Sequence, residues 1–335
     1  DAAGNADFCV ATIDVQANLI GCDGEAGATV AGALVTEEQE GVEDASLELA
    51  VVTSNGQQGM VNISSNDAGA FMFPGAVPLA GDYTLTPTKD DNPLNGVTTY
   101  DLVLINKHIL GLAPLTSPYK IIAADANRSG SITTFDVVEI RKLILGLYTE
   151  LPNNTSWRFV DNSFVFPEPS NPFQTMFPEN ISVQDVQSDH LADDFVGIKI
   201  GDVNNSVIAN SLQSSQERTD ATFLIDADDR QVKPGEVFTV DFKGAQSVQG
   251  FQFTMNLTDL EVVDLAGSGD IQAGNFGVFE GAVTASVDGT DNTFSITFRA
   301  KKAGQLSRML GVSSRITRAE AYSLNNERLD VVFRF

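Results

Sequence analysis

The chain of 335 residues contains only two cysteines, two histidines and one tryptophan. It also has no run of about 18 apolar residues, which excludes a typical membrane-spanning helix. Basic residues are few: 20 Lys and Arg stand against 45 Asp and Glu, for a formal net charge of −25. Such a surface repels phosphate backbones and anionic lipid, so we expect no nucleic-acid partner and no membrane insertion. Cations are the small partners that this charge favours.

Basic residues are missing above all from the start of the chain. No Lys or Arg precedes Lys89, while that stretch holds thirteen carboxylates. Residues 299–335 reverse the balance, with eight Lys and Arg against three Asp and Glu. Two interpretations stay open: two separately solvated faces, or attraction between the unlike ends of neighbouring molecules.

The scarcity of histidine bears on catalysis. A Ser-His triad would need His108 or His190 as its base. The sequence has no His-Glu-x-x-His, no Gly-x-Ser-x-Gly and no phosphate-binding Gly-rich loop. Counting does not exclude a carboxylate pair, but nothing singles one out. We therefore predict a protein that is not an enzyme.

The two cysteines, Cys9 and Cys22, lie thirteen positions apart near the N-terminus. In an acidic, Ser/Thr/Asn-rich chain they predict one disulfide in an oxidising compartment, worth about 3 kcal/mol. The alternative is two unpaired thiols. Because Asp1 stands where an initiator Met would, we expect a mature or trimmed chain from which any signal peptide has been removed.

Short alternating segments separated by turn residues predict β-strands in residues 28–88. Their order resembles that of carboxypeptidase-regulatory-like domains: Gly41-Val42 to Leu49, Asp67-Ala-Gly-Ala-Phe-Met-Phe73, and Gly81-Asp-Tyr-Thr-Leu85. The resemblance implies a β-sandwich over residues 1–88 that acts as a spacer and carries no catalytic residue.

An internal repeat is the strongest signal in the chain. Residues 97–112 recur as residues 132–147, with ten of sixteen positions identical. Thr98 and Asp101, like Thr133 and Asp136, have the spacing of a capping box at a helix start. Each copy ends on a glycine suited to a helix C-terminus. We predict two short helices with matching apolar stripes that pack on each other.

Oxygen donors precede the second helix at alternate positions. They fit positions 1, 3, 5, 7, 9 and 12 of a calcium loop and are Asp125, Asn127, Ser129, Ser131, Thr133 and Asp136. Gly130 stands at position 6, where the loop turns sharply. The sequence predicts that this loop binds Ca²⁺.

The first copy has a poorer set of donors. The equivalent positions are Asp90, Asn92, Leu94, Gly96, Thr98 and Asp101, of which Leu94 and Gly96 offer only carbonyl oxygens. We predict a second Ca²⁺ site here, with lower affinity.

The duplication, the Asp at position 12 and the lack of a helix before the loop resemble dockerin domains, over residues 89–148. The resemblance implies binding to cohesin-type partners through loop positions 10 and 11. These positions are Thr99, Tyr100, Thr134 and Phe135. Tyr100 and Phe135 are equally compatible with a place in the core of the helix pair.

Residues 149–215 contain several prolines but are too apolar for a free linker. We predict an ordered extension that packs on the helix pair, followed by a linker. Asp202, Asn204 and Ser206 would fit positions 1, 3 and 5 of a third calcium loop. No helix motif follows them, which argues against such a site.

Residues 216–335 again predict strands, for example the alternation of Phe251, Phe253 and Met255 with polar residues. Gly-Phe-Gln-Phe-Thr, following Pro234-Gly-Glu-Val-Phe-Thr-Val240, resembles cohesin domains. A plain immunoglobulin-like sandwich is the alternative. The predicted fold class is mostly β and multidomain, with two β-sandwiches flanking a small two-helix, dockerin-like calcium module.

The predicted function is a non-catalytic, calcium-stabilised structural or adhesive protein, secreted or at the cell surface. Its organisation resembles chains exported by the type IX route in bacteria. Dockerin-like and cohesin-like modules in one chain suggest protein partners or head-to-tail self-association into a fibre. The accessory region of a larger secreted hydrolase is the alternative. A glycan partner would need an exposed aromatic strip on the last domain, yet Trp157 lies outside it.

Overall fold

The computed structural model describes residues 27–213 and 221–335. Strands hold 39% of the described residues and helices 13%, with the strands spread over several sheets, which confirms the mostly β, multidomain fold class. Cys9 and Cys22 lie outside the described residues, so their disulfide stays a prediction. In the described part of the chain, no helix is long and apolar enough to cross a membrane.

The first five strands form most of an N-terminal sandwich. They are β1 (Ala28–Thr36), β2 (Ser46–Val52), β3 (Gln58–Ser64), β4 (Ala70–Val77) and β5 (Asp82–Thr88). β1 pairs with β4, and β2 pairs with both β3 and β5. Alternate residues of each strand point inward, so that Leu34, Leu49, Phe73 and Leu85 share one core.

Three strands from residues 149–215 complete this sandwich. They are β6 (Trp157–Asp161), β7 (Ile181–Val183) and β8 (Phe195–Lys199). The two sheets have the orders β4-β1-β8-β6 and β3-β2-β5-β7. β8 lies parallel to β1, with Leu34 opposite Phe195. The N-terminal sandwich therefore extends beyond the boundary expected at residue 88.

Three helices form the helical module, within residues 89–148: α1 (Thr99–Ile109), α2 (Pro118–Ala124) and α3 (Thr134–Ile144). Both predicted capping boxes are present, with Asp101 and Asp136 accepting from the backbone of their N-cap threonines. Contrary to the expectation, α2 directly precedes the second loop. Its seven residues are too few for a periodic pattern to reveal.

The helical module has its own core. Leu102 and Ile105 of α1 pack with Val137 and Ile140 of α3, as the repeat predicts. The extension contributes aromatic side chains to the same core, including those of Phe166 and Phe177. The extension therefore serves both the N-terminal sandwich and the helix pair.

Residues 221–335 form the C-terminal sandwich. Its strands are β9 (Thr222–Asp226), β10 (Gln231–Val232), β11 (Val237–Gly244), β12 (Gly250–Leu257), β13 (Leu260–Gly267), β14 (Phe276–Phe279), β15 (Ala282–Asp288), β16 (Thr293–Ala300), β17 (Gly304–Gln305), β18 (Leu310–Ser313), β19 (Glu320–Tyr322) and β20 (Arg328–Arg334). One turn of helix, α4 (Leu306–Met309), follows β17. The main sheet runs β13-β16-β11-β9-β20-β19-β12-β15-β14, with β18 also paired to β12.

Phenylalanines from both halves of this sheet fill the sandwich. The ring of Phe294 on β16 lies 6.4 Å from that of Phe251 and 6.2 Å from that of Phe253, both on β12. The predicted period-two alternation of β12 is confirmed, because Phe251, Phe253 and Met255 all belong to this core.

Candidate functional site: the interface between helices and sandwich

The outer faces of β12 and β15 are buried, although one face of a sandwich strand usually meets solvent. Gln252 and Thr254 on β12, and Thr284 and Ser286 on β15, lie opposite the phenylalanine core and are nearly inaccessible. Thr99 of α1 contacts Gln252 and Ser286, and Leu145 at the end of α3 contacts Thr284. Thr254 instead bonds the Thr317 segment of its own sandwich. The C-terminal sandwich and the helical module are thus docked on each other within one chain.

Thr99 is the central contact of α1. Its backbone N–H donates to Oε1 of Gln252 at 2.6 Å, and its hydroxyl lies 2.7 Å from that of Ser286. Gly250 allows this approach, since a Cβ there would lie 3.2 Å from methyl groups of Thr99 and Val103. A first-turn N–H that the helix leaves without a partner is therefore satisfied by the sandwich.

The C-terminal end of α3 makes the matching contact. The carbonyl of Ile144 accepts from the hydroxyl of Thr317 at 2.6 Å. The carbonyl of Leu145 accepts from the hydroxyl of Thr284 at 2.8 Å. These terminal carbonyls have no partner inside α3. The C-terminal sandwich therefore caps the start of α1 and the end of α3.

A charged pair closes the interface beside these contacts. Arg141 of α3 donates to one oxygen of Asp288, and Asn106 of α1 donates to the other. Burial raises the pKa of Asp288, while the charge of Arg141 opposes that shift. Removal of either Arg141 or Asp288 would leave the other charge buried and unpaired, which costs folding free energy.

An aromatic stack completes the interface. The ring of Tyr100 stacks on that of Tyr322, with centroids 4.8 Å apart. Tyr322 also donates to Glu320 at 2.6 Å, and burial raises the pKa of Tyr322. Of the positions that the dockerin resemblance implies for partner contacts, Thr99 and Tyr100 therefore face the sandwich. Their counterparts Thr134 and Phe135 are exposed, Phe135 by 73%, and neither belongs to the core of the helix pair.

The sequence carried a weak signal for the sandwich half of this interface. The outward residues of β12 and β15 include Gln252, Thr254, Thr284 and Ser286, none of them a long charged side chain. Uncharged short side chains are compatible with burial under another module. The pattern does not say which module covers them.

The second of the two predicted calcium loops folds around Asp125, the residue at position 1. One carboxylate oxygen of Asp125 accepts from the N–H of Ser129 and the other from that of Gly130, both at 2.8 Å. At position 12, Asp136 accepts from the N–H of Asn127 at 3.1 Å. The structure therefore brings positions 1, 3, 5 and 12 of this loop together.

Both carboxyl groups of this loop are buried from solvent. Burial is the largest cause that raises the pKa of Asp136, and the charge of Asp125 adds to it. Ser131 and Thr133 also lie in this loop, and the hydroxyl of Thr133 donates to Asp136 at 3.2 Å. Hard oxygen donors around two buried carboxylates suit Ca²⁺, which takes six to eight oxygens.

The first loop is arranged differently. Asp90 is exposed and accepts from the N–H of Ser156 at 2.7 Å. Asp101 is inaccessible and accepts from the N–H of Val203 at 2.9 Å. Asn92 is exposed and Leu94 half-buried, whereas Gly96 and Thr98 are buried close to Asp101. In this copy, the half near position 12 is folded like the second loop and the half near position 1 is not.

Across residues 27–213 and 221–335, no three His, Cys, Asp or Glu side chains form a group that could hold a metal ion. Of the carboxylates among the predicted ligands, the second loop buries two, those of Asp125 and Asp136, and the first loop buries one, that of Asp101. Amide, hydroxyl and carbonyl oxygens would have to supply the other ligands, as Ca²⁺ accepts.

The two histidines have structural contacts. Nδ1 of His108 accepts from the N–H of Leu115 at 3.0 Å, which fixes the segment after α1. His190 lies beside Asp193, which accepts from the hydroxyl of Tyr83. Tyr83 is buried in the N-terminal sandwich, and burial raises its pKa strongly. This grouping stabilises the sandwich and offers its phenol no access to a substrate.

Two further expectations concern surfaces. Trp157 is buried in the core of the N-terminal sandwich, so it contributes no exposed aromatic platform. Three basic residues of the C-terminal stretch pair with carboxylates of their own sandwich: Arg299 with Glu261, Lys302 with Asp259, and Arg334 with Asp226. Part of the basic charge near the C-terminus is therefore balanced locally.

No protein-family model and no curated protein matches the chain. Among solved structures, the sixth cohesin of scaffoldin B from Acetivibrio cellulolyticus, in complex with a Cel5 dockerin, is 14% identical with a TM-score of 0.26. The match covers 34% of this chain and 95% of that one. A non-cellulosomal cohesin from Archaeoglobus fulgidus is 18% identical, covering 34% and 86%, with a TM-score of 0.24.

The major pilin subunit BcpA of Bacillus cereus also matches, at 10% identity and a TM-score of 0.22. That match covers 91% of this chain and 69% of the pilin. Likenesses of this size carry no argument about function. What this chain does has to be argued from its own contacts.

Proposed function

We propose that the chain is a non-catalytic structural or adhesive protein of the cell exterior, in which the helical module locks the C-terminal sandwich in place. The docked interface of α1 and α3 with β12 and β15 is the observation that supports this. Thr99, Arg141 and Tyr100 contact the sandwich through a hydrogen bond, an ion pair and a ring stack. A joint of this kind transmits force between modules, which is what a structural subunit needs.

Calcium is part of the proposal. Ca²⁺ at the second loop would hold Asp125 and Asp136 together and so fix the start of α3. Because Arg141 and the carbonyls of Ile144 and Leu145 lie on or just beyond α3, a fixed helix presents a fixed docking surface. Calcium then stabilises the joint as well as the loop.

Self-association would use the same two surfaces, that of α1 and α3 and that of β12 and β15. Within one molecule these surfaces already contact each other, so contact between molecules requires one chain to exchange its C-terminal sandwich with a neighbour. Exchange between two chains gives a closed dimer, and exchange along a series gives a filament. We propose this exchange as the route to a head-to-tail fibre, with calcium favouring the folded docking surface.

A reciprocal charge reversal tests the exchange. Arg141→Asp in one chain and Asp288→Arg in another each place like charges across their own interface. A mixture restores opposite charges only between different chains. Light scattering with calcium should show single chains for each variant alone and larger particles for the mixture. If the mixture contained only single chains, the exchange would be contradicted. In the control, Arg141→Asp is mixed with Glu261→Arg, which lies on the same sandwich but away from the interface, and no larger particles should form.

A further inference from the structure

Residues 202–207 fold against the start of α1, although about 100 positions separate them in sequence. The N–H of Val203 donates to Asp101 at 2.9 Å. The hydroxyl of Ser206 donates to the carbonyl of Gly96 at 2.9 Å. This segment directly follows β8 of the N-terminal sandwich, so it joins that sandwich to the helical module.

The segment repeats the hydrogen bonds of the second calcium loop. There, Asp125 accepts from the N–H groups four and five residues later, those of Ser129 and Gly130. Asp202 likewise accepts from the N–H groups of Ser206 at 3.2 Å and Val207 at 2.8 Å. Asp202 therefore stands where position 1 of a calcium loop stands.

The other half of the loop comes from the first repeat. In the second loop, the hydroxyl of Ser129 at position 5 donates to the carbonyl of Ser131 at position 7, at 3.1 Å. Across the two segments, Ser206 makes the same bond to Gly96. Gly96 is required, because its φ is +79° and a Cβ there would approach Asp202 to 2.8 Å.

The two arrangements differ in one detail at position 12. Asp136 accepts from the N–H two residues after Asp125, that of Asn127, whereas Asp101 accepts from the N–H one residue after Asp202. The carboxylate at position 12 faces the start of the loop in both. The closing half of each loop, the box of Thr98 with Asp101 or of Thr133 with Asp136, is shared.

The interior of this two-segment loop holds two buried carboxyl groups. Asp101 is 0% exposed and Asp202 4%. A cation bound between two buried carboxylates offsets the cost of keeping both ionised.

Two buried polar atoms near this pair lack partners. Oδ1 of Asn204, at position 3, is buried without a hydrogen-bond partner among the described residues. Nζ of Lys199 is also buried and makes no hydrogen bond in the described part of the chain. Lys199 therefore donates to neither carboxylate of the pair. The free oxygen of Asn204 needs a positive or hydrogen-bonding partner, which a bound cation supplies.

We propose that these two segments together form a Ca²⁺ site, with Asp202, Asn204 and Ser206 from one and the Gly96 carbonyl, Thr98 and Asp101 from the other. The site replaces Asp90, Asn92 and Leu94 as ligands of the first repeat. This inference rests on the calcium stabilisation proposed above, and it gives the ligands of the second of the two Ca²⁺ ions. Bound calcium would tie the end of β8 to the start of α1, and so the N-terminal sandwich to the helical module.

Counting bound calcium in the full chain tests this site. After chelation and dialysis, titration calorimetry with CaCl₂ alone should give two ions for the natural sequence. Asp202→Asn and Asp125→Asn should each leave one. Asp90→Asn, the matched control, should leave two. Two ions in Asp202→Asn, or one in Asp90→Asn, would overturn the assignment.

A milder variant guards against loss of folding. Asn204→Ala removes one ligand and keeps the hydrogen bonds of Asp202, and should weaken one of the two binding steps by about tenfold, or 1.4 kcal/mol. Unchanged affinity in both steps would count against the site. If the natural chain binds one ion that Asp125→Asn abolishes, this site alone fails. If the natural chain binds no calcium, the calcium part of the proposed function fails with it.

Discussion

Arg141 on α3 and Asp288 at the end of β15 form an ion pair across the interface of the helical module and the C-terminal sandwich, 147 positions apart in sequence. Their side chains are only 17% and 7% exposed. The pair therefore lies in an environment where removing one partner leaves a charge largely shielded from water.

Asp288→Ala should destabilise the chain by about 3 kcal/mol, because it leaves Arg141 unpaired in a largely buried position. The matched control is Glu261→Ala, which breaks an exposed pair with Arg299 on the same sandwich. An exposed pair contributes about 1 kcal/mol or less. Urea unfolding followed by fluorescence measures both. Equal losses for the two variants would show that the Arg141–Asp288 contact is not buried in solution.

Calcium should raise the melting temperature of the natural chain, since a ligand that binds only the folded state stabilises it. At a hundredfold excess over Kd the gain is about 2.7 kcal/mol. Asp125→Ala should lose more of this gain than Asp90→Ala, because Asp125 lies inside its loop and Asp90 is exposed. Calorimetric scans in EDTA and in millimolar calcium give the comparison. Superimposed scans for the natural chain would refute calcium stabilisation.

Lys199 should make stability depend on pH. Its pKa is about 7 in the folded chain, against an ordinary value of 10.5, chiefly because of burial. Between these values the unfolded chain binds the proton that the folded chain has lost, so this residue's contribution to stability rises with pH. Lys199→Met lacks that contribution.

The difference in unfolding free energy between the natural chain and Lys199→Met should therefore grow in favour of the natural chain from pH 7 to pH 9.5. Urea titrations at the two pH values measure it. Comparing the two chains cancels the titration of other lysines and tyrosines. A difference that stays constant over this range would mean that Lys199 keeps an ordinary pKa.

Cys9 and Cys22 should be joined when the protein is made in an oxidising compartment. Mass spectrometry of the unreduced chain should then find two hydrogens fewer than in the reduced chain. Alkylation of both thiols in native, unreduced protein would exclude the disulfide.

The parts of the fold that sequence could predict are those set by neighbouring residues. Thr98 with Asp101 and Thr133 with Asp136 are three positions apart, and both predicted capping boxes are present. The alternation of β12 is equally local. Each of these elements follows from the spacing of a few side chains.

The parts that sequence could not predict depend on distant segments. β8 pairs with β1 across some 160 positions of sequence, and the residues around Phe195 do not indicate that Leu34 lies opposite it. Likewise, Asp202 lacks a helix after it in sequence, because α1 comes about 100 positions earlier. The motif was visible, but its other half could be found only in three dimensions.

The docking of the helical module on the C-terminal sandwich can be tested by cutting the chain between them. A protease recognition sequence in place of residues 214–220 allows cleavage of the folded protein. Gel filtration with light scattering should then find both fragments in one peak with the mass of the intact chain. Asp288→Lys should separate them, and Glu261→Lys should not. Two separate peaks from the cleaved natural sequence would contradict the docking.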